Sequence, residues 1–209
     1  MTGIIGRKIG MTQLFTEDGE RVPVTVIEAG PCAVTAVREP ERDGYGAVQL
    51  AFGEVAEKRL TKPALGHLKK AGAPSSRHLA EFRLPKQDDS SEPPKIGDQV
   101  TVEAFEPGQT VKVSGTSKGK GFQGTIKRHG AHRGPVSHGS HNVRAPGSIG
   151  ASATPSRVFP GKRMPGQTGS VRVTQRGLKV VEIDANRHLL LVRGAVPGPS
   201  GAVVEVRSE

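Results

Sequence analysis

Residues 119–124, Gly-Lys-Gly-Phe-Gln-Gly, match the glycine pattern that binds the pyrophosphate of a dinucleotide. A strand-like segment precedes them, but a dinucleotide site also needs a full helix and an acid about 20 residues further on for the ribose. Gly130 limits the helix and the next acid is Glu182, so dinucleotide binding is disfavoured. Unhindered N–H groups beside two lysines in 115–121 instead favour the phosphates of a polynucleotide, with a flexible hinge as the alternative.

Four histidines follow at spacings that zinc ligands adopt, in the pattern His129-x2-His132-x5-His138-x2-His141. No Cys, Asp or Glu lies among them, and structural zinc sites made of histidine alone are unusual, which argues against a metal. Hydrogen bonding or stacking on RNA is favoured, with plain solvent exposure as the alternative.

The single cysteine, Cys32, lies in an apolar run, and we expect an inert buried thiol in a reducing compartment.

The histidines belong to a long segment without acids. Residues 107–181 contain 13 Lys/Arg, four His and 14 Gly but no Asp or Glu, whereas the rest of the chain has 17 Lys/Arg against 20 Asp/Glu. Surface loops usually mix charges of both signs, so a one-signed segment indicates a polyanionic partner. The segment also contains no carboxylate that could act as the acid, the base or the orienting group of a catalytic site.

The flanking segments have β patterns, in which short apolar or alternating runs are separated by turn residues. The predicted strands cover 4–9, 21–28, 33–38, 45–52, 99–105, 110–114, 170–174, 178–183, 188–193 and 202–207, with a hairpin turn at 184–187. The chain has six Phe, one Tyr and no Trp, so the core must be largely aliphatic. These observations predict a mainly β domain, a small barrel or sandwich, formed by 1–114 and 171–209.

Two segments interrupt the β domain. Residues 56–97 resemble an insertion with a short helix at 63–70, which has Pro63 in its first turn, lysines in its last turn and Gly72 as a stop, followed by a polar surface loop at 85–94. Residues 115–170 are rich in Gly and Pro and contain too few apolar residues to fold alone, apart from a helical turn or two at 122–128. We predict a long irregular basic arm between strands, which at this length is functional or disordered.

The candidate RNA-binding residues are the cations, histidines and turn residues of this arm and its ends. They are Lys112, Lys118, Lys120, Lys127, Arg128, His129, His132, Arg133, His138, His141, Arg144, Gly147, Ser148, Arg157, Lys162, Arg163, Met164 and Arg172. Lysine and arginine contact phosphates, arginine also stacks on bases, and glycine allows close backbone approach. The arm has only two aromatic residues, which favours folded RNA over a single strand, and a solvated basic loop is the alternative.

Membrane association is not expected, because the chain has no long apolar stretch and no signal-peptide pattern, and its basic run is too rich in Gly and Pro to form an amphipathic helix. Together with the single apolar cysteine, these features predict a cytosolic protein.

Several strings, in order along almost the whole chain, match one protein family. They are Gly6-Arg-Lys-Ile-Gly-Met-Thr12, Pro23-Val-Thr-Val26, Asp43-Gly-Tyr45, Gly115-Thr-Ser-Lys-Gly-Lys-Gly-Phe122, Pro146-Gly-Ser-Ile-Gly150, Arg163-Met164 with Gly166, and Val192-Arg-Gly-Ala-Val-Pro-Gly198. On these strings the chain resembles the bacterial form of the third large-subunit ribosomal protein family.

The resemblance implies a six-stranded β-barrel on the outer surface of the large ribosomal subunit. It also implies an arm that runs inward through the large ribosomal RNA toward the peptidyl transferase centre, a role in early assembly, and neighbouring ribosomal proteins as partners. By position, Lys118, Lys120, Lys127 and Arg128 would lie at the root of the arm and 148–154 near its inner tip. No catalytic residue, cofactor, metal or small-molecule substrate is implied.

Two positions depart from the family pattern. Ala151 stands where some relatives carry a methylated glutamine, so that modification is not expected, and His129 stands where some relatives carry tryptophan, which weakens stacking there. Two other classes stay open on the residues themselves. One is an architectural protein that binds nucleic acids without sequence preference, and the other is an enzyme on a small barrel that binds a dinucleotide through 119–124.

Overall fold

A computed structural model describes residues 3–84 and 94–209 and shows a mainly β protein. Its strands are β1 Gly3–Phe15, β2 Arg21–Ala29, β3 Cys32–Arg38, β4 Ala47–Glu54, β5 Ser76–Arg83, β6 Gln99–Val100, β7 Thr110–Thr116, β8 Gly121–Gln123, β9 Gly166–Thr168, β10 Arg172–Asp184, β11 Leu189–Arg193 and β12 Val203–Ser208. Its helices are α1 Pro40–Asp43, α2 Lys62–Lys70 and α3 Thr125–His129, with 3₁₀ turns at Glu57–Arg59 and Val102–Ala104.

Six strands close into an antiparallel barrel in the order β1-β12-β7-β10-β11-β2, which confirms the predicted fold class. The two ends of the chain meet in it, because Ile4 of β1 lies opposite Val206 of β12. The hairpin predicted at 184–187 is confirmed, since Asp184 of β10 pairs with Leu189 of β11.

The barrel core is aliphatic, as the composition predicts. Its fully buried side chains include Ile4, Ile5, Val24, Ile27, Val111, Val113, Val180, Leu190, Val192, Val204 and Val206. Each such side chain contributes about 1.5–3 kcal/mol when it leaves water. In β2 the alternation of buried and exposed side chains does not continue past Val24, because Thr25 and Ile27 are both buried while Val26 is only half-buried.

A second sheet has four strands in the order β5-β4-β3-β6, all from residues 32–100. Its inner side chains, such as Leu50 and Phe82, join the same hydrophobic cluster as the barrel residues. The helix expected at 63–70 is confirmed as α2, with Pro63 in its first turn and Lys69 and Lys70 in its last. Strand β5 was not predicted, because charged residues interrupt its apolar pattern.

Three expectations from the sequence need correction, and a fourth concerns residues that lie almost entirely outside those that the structure describes. The strand expected at 99–105 is only β6, because the chain then turns into a 3₁₀ helix. The two strands expected at 170–174 and 178–183 are one strand, β10, with an irregularity between Gln175 and Leu178. The helical turns expected at 122–128 are divided between β8 and α3. The surface loop expected at 85–94 lies, except for Pro94, outside the described residues.

Candidate RNA interface

Most of the predicted interface falls in a separate compact unit, residues Ser117–Val171, which we call the arm. In the barrel, Thr116 at the end of β7 pairs with Arg172 at the start of β10. Neighbouring strands in a sheet lie about 4.8 Å apart. The chain therefore leaves the barrel and returns to it between two paired strands, and all arm residues are described.

A short hairpin joins the two limbs of the arm, with β8 paired to β9. The N–H of Lys120 donates to the carbonyl oxygen of Thr168 at 2.8 Å. Gly169 has a φ of 74°, and a Cβ at this position would overlap the carbonyl oxygen of Lys118. Only glycine fits where the limbs meet. Backbone contacts thus fix the hairpin, while the Lys118 and Lys120 side chains remain exposed.

Helix α3 follows this hairpin and adds a second connection between the limbs. It ends at Gly130, whose left-handed backbone (φ 68°) is typical of a helix C-terminus. Arg128 donates from Nη1 to the carbonyl oxygen of Met164 at 2.8 Å, and Nε2 of His129 lies 3.0 Å from the same oxygen. Arg128 and His129 therefore help to hold the arm together, whereas Lys127 is exposed on the same helix.

Beyond α3 the arm is irregular and has no packed core of its own. Of its 55 residues, 42 are exposed and Thr125 is the single buried one. Few contacts order residues 131–165. They include the N–H of Gly134 donating to the carbonyl oxygen of Val143 at 3.0 Å, and the Arg157 guanidinium 5.4 Å from the centre of the Phe159 ring. A segment that buries so little apolar surface gains little from folding alone.

The charges of the arm all have one sign. Its nine Lys/Arg residues are all exposed, and it contains no Asp or Glu, whereas the rest of the chain has 21 Lys/Arg against 20 acids. Among the residues that the structure describes, none of these nine cations forms a salt bridge with a carboxylate. The arm therefore presents uncompensated positive charge, which attracts and concentrates polyanions.

The four arm histidines are not brought together as a metal centre. His132, His138 and His141 are exposed, while His129 is half-buried against Met164. Within 3–84 and 94–209 there is no group of three or more His, Cys, Asp or Glu side chains arranged to bind a metal ion.

The glycines of 119–124 do not form a dinucleotide fold either. They lie in a two-stranded antiparallel hairpin followed by a helix of only five residues. Dinucleotide sites need a parallel βαβ unit with a helix N-terminus against the pyrophosphate. This geometry disfavours the dinucleotide hypothesis that the sequence left open.

Two candidate residues lie on barrel strands rather than in the arm. Lys112 of β7 is half-exposed and lies opposite Arg207 of β12. Arg172 of β10 forms a salt bridge with Glu205, which also pairs with Arg207 at 3.0 Å. One carboxylate shared by two guanidinium groups cannot neutralise both, and the Arg172 side chain is 59% exposed, so Arg172 and Lys112 both stay candidates for phosphate contact.

The remaining candidates follow the irregular part of the arm. Arg133, Arg144, Lys162 and Arg163 are exposed. Gly147, Ser148, Ala151 and Arg157 are among the residues that line a shallow, open depression formed by 147–151 and 156–158.

Exposed apolar side chains of the arm were missing from the list predicted by charge. Phe122, Val136, Ile149 and Phe159 are between 41% and 74% exposed, with Phe122 the most accessible. Apolar groups that find no core in their own chain are suited to packing on bases or sugars of a partner. The sequence could have predicted their exposure, because the segment that contains them has too few apolar residues to form a core.

Cys32 is an inert thiol, as predicted. It is fully buried at the start of β3, where its Sγ lies 3.3 Å from the carbonyl oxygen of Ile5. Burial raises the pKa of Cys32 to about 12, although the hydrogen bond to Ile5 acts in the opposite direction. A thiol with so high a pKa provides almost no thiolate near neutral pH and no nucleophile for catalysis.

None of the described helices is both long enough and apolar enough to cross a bilayer.

Residues 92–189 match the family model described as "Ribosomal protein L3". The chain is 54% identical over 205 residues to the "Large ribosomal subunit protein uL3" of Synechococcus sp. (strain RCC307), covering 98% of this chain and 94% of that protein. Proteins with the same name from Nostoc punctiforme and Thermosynechococcus vestitus are 54% and 53% identical over 204 residues, covering 98% of this chain and 95% and 94% of theirs.

Proposed function

Since the chain belongs to the ribosomal protein L3 family, we propose that it is a structural constituent of the large ribosomal subunit that binds large-subunit ribosomal RNA through its arm. The arm reaches toward the peptidyl transferase centre and supports early assembly of the subunit. Its partners are this RNA and neighbouring ribosomal proteins, in the cytoplasm. It acts without a cofactor, a membrane or a small-molecule substrate.

One observation carries the proposal: nine exposed cations on an arm that has neither an acid nor a core. Each cation that neutralises a phosphate releases counterions, so binding to RNA is favourable even for an arm that must be ordered on binding. Because the limbs are joined only near their root, the irregular part can follow a folded RNA surface rather than impose its own shape. Folded RNA presents phosphates and 2′-hydroxyls, for which lysine, arginine and hydroxyl groups are suitable partners.

The proposed contacts divide by position along the arm. Lys118, Lys120 and Lys127 contact phosphates at the root, where the hairpin and α3 hold their backbone in place. Arg128 and His129 act chiefly by joining the limbs through Met164. Ser148 and the residues up to Thr154 form the tip, where small side chains allow close approach to RNA.

A structural role also agrees with what the chain lacks for catalysis. The arm contains no carboxylate, and the Cys32 thiol is buried with a strongly raised pKa. The arm therefore provides no carboxylate as a general acid, a general base or the orienting group of a triad, and Cys32 provides no activated nucleophile.

The test is RNA crosslinking and sequencing in native cell extract, with two forms of the chain. The barrel-only variant replaces 117–171 by Asn-Gly, since Thr116 and Arg172 pair directly and a two-residue turn can connect them. We expect crosslinks of the full chain to concentrate in large-subunit RNA, and the interior sites to disappear in the barrel-only variant. Crosslinks scattered over many RNAs and DNA would contradict the proposal and favour an architectural nucleic-acid binder.

A further inference from the structure

A second acid-free segment lies outside the arm. Residues 58–80 contain six Lys/Arg, two His and no Asp or Glu. All six cations are exposed, on the 3₁₀ turn Glu57–Arg59, on α2 and at the start of β5. The net charge of the whole chain does not reveal this segment. Nearly all of that charge comes from the arm, and acids elsewhere in the barrel unit offset the six cations of 58–80.

Helix α2 is fixed on the four-stranded sheet by its inner face. Leu68 is 1% exposed, and Nε2 of His67 lies 2.6 Å from Oε1 of Gln49 in β4. Thr35 of β3 donates to the same oxygen at 2.9 Å. These contacts determine which side of the helix faces away from the sheet.

The outer face of α2 is a stripe of one sign, which we call the lysine stripe: Lys62, Gly66, Lys69 and Lys70. Residues at i, i+4, i+7 and i+8 lie on one side of an α-helix, and all four are exposed. The lysines stand about 11 Å apart along the helix axis with the glycine between them. Among the described residues, one acid approaches the stripe: the carboxylate of Glu57 lies 3.3 Å from Nζ of Lys69, and both side chains are more than half exposed.

The described residues give no reason for the glycine in this stripe. Gly66 is in the interior of α2, where glycine is less favourable than any residue except proline. Its φ is not in the left-handed region, and a Cβ there would meet no atom of residues 3–84 and 94–209 within 4 Å. Neither its own backbone nor a neighbouring residue therefore requires glycine. The remaining physical use of glycine is to let a partner approach the backbone closely.

We propose that the lysine stripe is a second RNA-binding surface, independent of the arm, in which a sugar-phosphate backbone crosses the bare centre at Gly66 between the ammonium groups. This inference rests on the proposed function, because it takes ribosomal RNA as the partner. Lysines bind phosphates as point charges and need no fixed orientation. The stripe has no large apolar side chain of the kind that an acidic protein partner would bury.

Tethered cleavage tests the stripe directly on the complete chain. A single cysteine carrying an iron–EDTA group is placed at Lys70→Cys, at His138→Cys in the arm, or at Arg42→Cys on α1 as the control. Cys32 does not interfere, because it is buried. After assembly with large-subunit RNA, we expect position 138 to cut one set of nucleotides, position 70 a different set, and position 42 none above background.

These probes separate failure of the inference from failure of the proposed function. Cutting from position 138 without cutting from 70, or equal cutting from 70 and 42, overturns the lysine stripe and leaves the arm proposal intact. If no probe cuts ribosomal RNA, the proposed function itself fails, and the inference fails with it.

Two variants give an independent measurement by binding. Removing two phosphate contacts with Lys62→Ala plus Lys70→Ala makes the negative slope of log affinity against log salt shallower by about 1.4–1.8. The control Arg42→Ala plus Arg187→Ala leaves this slope unchanged. Gly66→Ala raises the thermal midpoint of the free chain, since alanine favours helix, yet weakens RNA binding. A raised midpoint with unchanged RNA affinity would refute close approach at Gly66.

Discussion

Replacing the arm by a two-residue turn should leave a folded barrel that is at least as stable as the full chain. None of the buried apolar side chains of the core lies within 117–171. Removing the arm therefore deletes no core packing. The barrel-only variant with Asn-Gly in place of 117–171 preserves the pairing of Thr116 with Arg172.

The expected gain comes from the entropy of closing a loop. The arm is a 55-residue connection between two paired strands. Shortening it to two residues spans nearly five doublings of loop length, and at about 0.6 kcal/mol per doubling the free energy of unfolding rises by at most about 3 kcal/mol. The gain is smaller to the extent that the hairpin and α3 already restrict the arm.

Denaturant unfolding of three chains measures this effect. They are the full chain, the barrel-only variant and a control in which 55 Gly/Ser residues replace the arm. The slope of unfolding free energy against denaturant should be nearly the same in all three, because it follows the surface exposed on unfolding and the arm buries little. We expect the full chain and the Gly/Ser control to agree within about 1 kcal/mol, because their loops have equal length.

A loss of more than about 2 kcal/mol in the barrel-only variant would refute this reasoning. It would show that arm residues contribute packing energy to the barrel, as deletion of a buried aliphatic side chain does. The arm could then no longer be treated as a binding segment whose ordering depends on RNA.

Three further predictions concern single groups. Lys118→Ala plus Lys120→Ala should make the negative slope of log RNA affinity against log salt shallower by about 1.4–1.8, and an unchanged slope would exclude both lysines as phosphate contacts. Cys32 should react with an alkylating reagent at pH 8 about a thousandfold more slowly in the folded chain than in denaturant, because its pKa is about 12 rather than 9.0, and rapid labelling of the folded chain would contradict its burial. Burial and, to a lesser extent, two nearby arginines lower the pKa of His78 below its ordinary value of 6.5, so the folded state binds fewer protons than the unfolded state at acidic pH. Stability from this group is therefore present above pH 6.5 and lost as the pH falls below it, and unfolding measured between pH 7.5 and 5 should show a smaller loss for His78→Gln; an equal loss would refute the shift.

Sequence patterns predicted the barrel better than the sheet beside it. Alternating valines identify a strand such as β12, because Val204 and Val206 are buried on one of its faces. Strand β5, Ser-Arg-His-Leu-Ala-Glu-Phe-Arg, was missed because only Ser76 and Phe82 of its side chains are fully buried. Long-range pairing decided its structure, since Phe82 lies opposite Val48 of β4.

The arm shows the opposite limit of sequence reasoning. Charge and composition identified the segment as a binding element, because both are sums over residues and need no knowledge of the fold. Which cations are free depends on contacts that no local pattern predicts. Arg172 forms a salt bridge with Glu205, which is 33 residues away, and Arg128 donates to the carbonyl oxygen of Met164. The lysine stripe was missed because its acid-free segment, 58–80, is much shorter than 107–181, and the side of α2 that faces away from the sheet is known only from the fold.

Hydrogen exchange across 131–165 tests the central claim, that ribosomal RNA orders the arm, most directly. Amide exchange is compared in the free chain, in the chain bound to large-subunit RNA, and in the chain with duplex DNA of equal charge. The account predicts fast exchange in the free arm, strong protection with ribosomal RNA, little protection with DNA, and unchanged protection in the barrel. Fast exchange of the arm with ribosomal RNA bound, or equal protection by DNA, would contradict it.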